Sequence, residues 1–114
     1  MKFTCEKTSL QKEISIAQEI ISTRNALSIL SNVLLVAEEG NVTIKATDLK
    51  VSFQTDIPAD VAETGDTTVF CDKLLGILRS LPEGDIEFEL SEGRLIIRPL
   101  FKKIDFQLKS IAGD

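Results

Sequence analysis

A chain of 114 residues with no histidine and no tyrosine has few ways to move a proton or attack a substrate near neutral pH. What remains are carboxylates, lysines and two cysteines. The densest acidic group is Asp85, Glu87 and Glu89, alternating with Ile86 and Phe88. That alternation is a strand's, and it strings the carboxylates along one face at about 7 Å spacing, which suits a solvated face better than a metal site. No glycine-rich loop follows a strand to cradle a phosphate. Cys5 and Cys71 each close a short apolar strand and read as buried free thiols, with nothing arguing for a disulfide. The pattern predicts neither catalysis nor a metal nor a cofactor. The side chains left over are basic: Arg24 before an apolar segment, and Lys73 and Arg79 on a helix. Each reads as a solvated charge or as a phosphate contact. Phe3, Phe53, Phe88 and Phe106 fall at inward strand positions and are expected in the core rather than in a base-stacking platform.

The elements that position these residues come in two copies. Glu39–Gln54, EGNVTIKATDLKVSFQ, returns 53 positions later as EGRLIIRPLFKKIDFQ with no gap. Gly40 then falls on Gly93, Lys45 on Arg98 and Phe53 on Phe106, and the register runs back to put Val33 and Leu35 on Ile86 and Phe88. Three period-2 segments are thereby shared in the same phase.

Ahead of each set stands a strand and a helix. Lys2 to Glu6 alternates, and a helix capped by Thr8 and Gln11 follows, with Leu10, Ile14, Ala17 and Ile21 as its apolar stripe. Ser22 to Asn25 breaks that pattern, placing Arg24 in a loop, and Asp48 to Lys50 marks a turn. Thr67 to Cys71 is the second such strand. Asp72 is the expected N-cap of a helix burying Leu74, Ile77, Leu78 and Leu81, ended by Pro82 and Gly84. Its outer side holds Lys73, Gly76 and Ser80. A helical glycine costs about 1 kcal/mol against alanine, so Gly76 is either tolerated or a place where something comes close. Pro58 to Asp66 reads as a connector too short to separate domains. The last strand is expected over Ile104 to Lys109. The fold predicted is α+β, a duplicated strand-helix-three-strand unit with two helices packed on one side of antiparallel sheets.

Composition is that of one globular domain, 43% hydrophobic, with 13 basic and 18 acidic residues. The net charge of −5 speaks against a surface coated for nucleic acid, although it does not say which face carries which sign. No apolar run approaches a membrane span and the first ten residues are too polar for a signal peptide, so a cytoplasmic location is expected. Acids fall on the outer sheet and a neutral to weakly basic surface on the helices.

Four stretches, MKFTCEKTSLQKEI at the start, RNALSILSNVLL from Arg24, TDLKVSF from Thr47 and LPEGDIEF from Leu81, resemble the amino-terminal domain of the bacterial DNA polymerase III beta subunit family, the sliding clamps. The resemblance covers the whole chain and implies a DNA clamp fold. It also implies a non-catalytic processivity factor, in which three such domains per subunit and two subunits close a ring around duplex DNA, helices inward. On that pattern Arg24 is the first candidate for touching DNA, followed by Lys73, Arg79 and Lys12. Glu13 and Glu19 weaken the positive charge of the first helix. Phe106 and Leu108 match the family's edge at the subunit interface, and fit core packing equally well. The family's pocket for polymerase and clamp-loader peptides lies in its carboxyl-terminal region and is not expected here. A different class of function, a protein-interaction module pairing through an exposed edge strand, fits the same residues.

Overall fold

The first strand runs straight into a helix, twice. β1 (Lys2–Glu6) leads into α1 (Lys7–Arg24), and β6 (Gly65–Phe70) into α2 (Cys71–Ser80), with no intervening loop. Between them lie β2 (Asn32–Glu38), β3 (Asn41–Thr47), β4 (Ser52–Pro58) and β5 (Asp60–Glu63); β7 (Asp85–Ser91), β8 (Arg94–Pro99) and β9 (Phe106–Lys109) follow α2. The structure, a computed structural model, describes residues 1–24, 32–47, 52–100 and 104–110, and among these the side chains other than those of 20–24, 47 and 52. The turn expected over Asp48 to Lys50 and the pattern break at Asn25 lie outside the described residues.

The two units exchange their first strands. One sheet has the order β5-β1-β7-β8-β9 and the other β4-β3-β2-β6. Each three-strand meander is thus extended by the opening strand of the opposite unit. β1 pairs antiparallel with β7, setting Phe3 opposite Phe88 and Cys5 opposite Ile86. In the other sheet β6 pairs with β2, setting Thr67 opposite Leu35 and Val69 opposite Val33. Equivalent positions follow: Phe3 matches Thr67, Leu10 matches Leu74, and Ile14 matches Leu78. The hairpins match too. Gly40 and Gly93 sit at positive φ in the β2–β3 and β7–β8 turns, where a side chain would be strained. The carbonyl of each accepts a hydrogen bond from the residue just past the unit's last strand, Ala59 (3.2 Å) and Ser110 (2.8 Å) respectively.

One apolar core joins everything. Leu10, Ile14 and Ala17 of α1 and Leu74, Leu75 and Leu78 of α2 bury against Phe3, Val33, Leu35, Ile44, Ile86, Phe88, Leu95 and Ile97 of the two sheets. The rings of Phe3 and Phe88 stack with centroids 4.8 Å apart and planes within 12°. Because each unit's opening strand sits in the other's sheet, neither half can bury its stripe alone.

Several expectations need correction. Pro58 to Asp66 is not a plain connector, since Asp60–Glu63 forms β5 on the free edge of β1. Only Val61 of that strand packs against the core, which left no alternation to read. α1 starts at Lys7 rather than Thr8, and its first turn is held by Ser9 donating to a Glu6 carboxylate oxygen at 3.0 Å and by the Lys7 N–H donating to the Gly84 carbonyl at 2.9 Å. α2 is preceded by Phe70 with no side-chain cap, and Asp72 lies inside its first turn, where its charge still complements the helix dipole. α1 extends through Arg24, so that residue ends a helix rather than sitting in a loop. The last strand is shorter than expected, with Ile104 exposed before β9 begins. Ile77 and Leu90 are half-buried rather than core residues.

Candidate nucleic-acid interface

α1 and α2 lie against each other and keep one side each out of the core. On α1 the exposed positions include Thr8, Lys12 and Glu19, with Gln11, Glu13, Ser15 and Gln18 half-buried. On α2 they are Asp72, Lys73, Gly76, Arg79 and Ser80. Lys12, Lys73 and Arg79 therefore all stand free of the core on helices, as the periodicity required. Arg24 is the last residue of α1, and its side chain lies outside the described residues.

Charge is divided between the helices and everything else. The two helices carry five basic and three acidic residues, leaving eight basic and fifteen acidic for the strands and connections. Low-dielectric protein beneath the helices strengthens the field of their charges outward, so the helical side is less negative than the chain's total suggests. Lys7, Thr8, Gln11, Lys12 and Ser15 line an open groove of about 500 Å³ closed at one end by Glu83. Its hydroxyls, amide and ammonium groups can all donate to phosphate oxygens without reading bases.

The outer face of the five-stranded sheet is built differently. Arg98 on β8 donates from Nη1 to Glu87 at 3.2 Å and to Glu89 at 2.9 Å, and its Nε lies 3.5 Å from Asp105. Lys2 adds a longer pair with Glu87 at 3.9 Å. The hydrogen bond from Arg98, with help from the Lys2 charge, holds the Glu89 carboxyl below its ordinary value against a small opposing effect of burial. Two of the three acids read as a simple solvated face are thus half-buried members of an ion-pair network. Cross-strand pairing of Glu87 with Arg98 is a tertiary register fact that spacing along one strand does not display.

β9 forms one edge of the five-stranded sheet and pairs only with β8. Leu108 is 8% exposed and joins the core, and Phe106 is partly buried against it. Both residues brought forward for an interface consequently contribute to packing within this chain. Burial pushes the Cys5 and Cys71 thiols up to about 12, with Asp85 and Glu6 adding to the effect at Cys5 and Asp72 at Cys71. Neither is placed to act as a nucleophile. Among the described residues no helix is long and apolar enough to cross a membrane.

The family model described as "DNA polymerase III beta subunit, N-terminal domain" matches residues 1–113. A beta sliding clamp of Treponema pallidum is 52% identical over all 114 residues, and this chain covers 31% of that protein. The Caulobacter crescentus pol III beta structure, 34% identical, superposes with a TM-score of 0.86 over 100% of this chain and 31% of its own. The Helicobacter pylori beta clamp bound to a DNA ligase peptide shares the fold, with a TM-score of 0.86 at 24% identity over 97% of this chain and 30% of its own. The chain spans about a third of the length of the relatives it matches. With two strand-exchanged units and both helices on one open side, it belongs to the DNA polymerase III beta subunit family, the sliding clamps, and corresponds to their amino-terminal domain.

Proposed function

We propose that residues 1–114 form the first of three domains in a subunit that closes head to tail with a second copy into a ring around duplex DNA. The ring tethers the replicative polymerase. It does so by topology rather than by chemistry, as a non-catalytic accessory subunit working in the cytoplasm. The observation that carries this reading is the division of charge: a helical side with basic excess on a chain whose remainder is strongly acidic. Such a side attracts phosphates without gripping them, and each contact adds salt-dependent affinity but no sequence preference. Arg24 at the end of α1 and Lys12, Lys73 and Arg79 on the exposed helix surfaces are the proposed DNA contacts. The β9 edge, with Phe106 and Leu108, is the proposed subunit boundary. Polymerase and clamp loader bind through the region that follows this domain, and the ligase peptide on the Helicobacter pylori relative belongs to the same kind of attachment.

The test uses the full-length subunit loaded on nicked circular DNA, followed by gel filtration. Replacing Arg24, Lys73 and Arg79 together by alanine should cut the loaded fraction severalfold and flatten its salt dependence, while the melting curve stays cooperative. Retention equal to wild type at every salt concentration would remove these residues from the DNA path. The isolated 114-residue chain should bind linear duplex weakly and without sequence preference. Tight, selective binding there would contradict a sliding mechanism.

A further inference from the structure

Gly76 stands in the middle of α2, a ten-residue helix, and the fold does not ask for it. Its φ is not in the left-handed region, and a Cβ added there meets nothing within 4 Å. Glycine is among the poorest helix formers, so the position weakens α2 with no internal return. The duplication supplies a control within the molecule. Leu10 and Ile14 match Leu74 and Leu78, which sets Lys12 of α1 at the position of Gly76, and both are exposed. The same scaffold thus accepts a long side chain in one unit and carries none in the other.

Gly76 lies in an open groove of about 450 Å³ between α2 and the edge strand, shared with Asp72, Lys73, Ile77, Ser80 and Leu108. β9 has no strand partner on its outer side among the described residues. The large apolar residues that are exposed among the described residues, Leu100 (59%) and Ile104 (44%), flank the connection leading into that strand. Exposed apolar surface concentrated beside an unpaired edge marks a protein contact. The groove's own lining agrees. Asp72 repels phosphate, and Ile77 and Leu108 offer a polyanion nothing, whereas one acid and one lysine beside an apolar floor suit another folded surface.

We propose that the groove between α2 and β9 seats an element of the second subunit, and that Gly76 is the point where the partner comes against bare helix backbone, its missing side chain setting the distance of approach. This deepens, and rests on, the reading of β9 as the ring-closing edge. Small residues at helix contacts serve the same end elsewhere, letting two backbones approach further than any side chain permits.

The experiment measures self-association of the full-length subunit by sedimentation, with thermal melting of each variant alongside. Gly76→Leu should weaken dimerisation by about tenfold or more, as an extra side chain does in a filled contact, and Gly76→Ala by less. Both should melt at or above the wild-type temperature under conditions where the subunit is monomeric. If Gly76→Leu dimerises like wild type while Phe106→Ala weakens the dimer, the proposal fails and the β9 edge stands. If neither variant changes dimerisation, both fall. Lowered melting of the monomeric Gly76→Leu subunit would place the contact within one subunit and overturn the proposal. Loss of DNA retention at unchanged dimerisation would overturn it in favour of nucleic acid.

Discussion

Position for position, the first unit puts Phe3 and Lys12 where the second puts Thr67 and Gly76. Both opening strands face the same core, yet they close it by different means. Phe3 fills its place with a ring stacked on Phe88, whereas Thr67 is buried opposite Leu35 and shares a 2.7 Å hydrogen bond with the Ser110 hydroxyl. Helix positions facing the core stay apolar in both units, Leu10 with Leu74 and Ile14 with Leu78. Positions facing out are free to diverge, and that divergence gives the duplicated scaffold two different sides: lysine and polar groups along α1, a glycine-floored groove along α2.

The largest effect should come from the stacked pair. Phe3→Ala is expected to cost about 3–5 kcal/mol, measured by denaturant unfolding, because it empties a fully packed site at the exchanged strand. Its counterpart Thr67→Ala should cost about 1 kcal/mol, the loss of one partly buried hydrogen bond and a methyl group. Equal costs would mean that the two opening strands contribute alike and that the asymmetry drawn here is superficial.

A smaller effect of opposite sign distinguishes the helices. Gly76→Ala should stabilise the 114-residue chain by about 0.5–1 kcal/mol, since the added methyl meets open space and the helix gains propensity. A loss of stability there would show that α2 needs the glycine for itself.

The ion-pair network offers the finest test. Arg98 and Lys45 are repeat equivalents, but only Arg98 bridges neighbouring carboxylates among the described contacts. The Glu89 carboxyl is held low in the folded chain, so it contributes stability that is complete above its ordinary range and lost as pH falls through its lowered folded value. Thermal melts from pH 7 downward should therefore show a small advantage of wild type over Glu89→Gln near neutrality that disappears in acid and shrinks in salt. A thiol reagent at pH 8 should leave Cys5 and Cys71 unmodified until the chain unfolds, as burial holds both near 12. Fast labelling of either would mean that its strand opens locally.

Much of this was legible along the chain. The repeat, the helical stripes and the inward phase of Ile86, Phe88 and Leu95 all follow from local periodicity, because a residue's side of a helix or strand is fixed by its neighbours in sequence. β5 was missed for the converse reason: a half-exposed edge strand is made by the ladder it joins, and its residues need no pattern of their own. The caps were misplaced because Glu6 with Ser9, and the Gly84 carbonyl, do for α1 what Thr8 was expected to do. For the proposed DNA contacts, sequence reading placed Lys12, Lys73 and Arg79 outside the core correctly. Arg98 escaped notice, since its partners lie across a strand pair and beyond a turn.

Sequence alone determined that this protein is two copies of one unit, which residues each copy buries, and that its basic excess rides on the helices. Those are properties of spacing and composition, written locally. Only the tertiary structure decided that the copies trade their first strands, which edge stays open, and that Gly76 shares a groove with Leu108. Such juxtapositions depend on which strand pairs with which, and backbone hydrogen bonds form equally well with either partner until the packing of the whole core selects one.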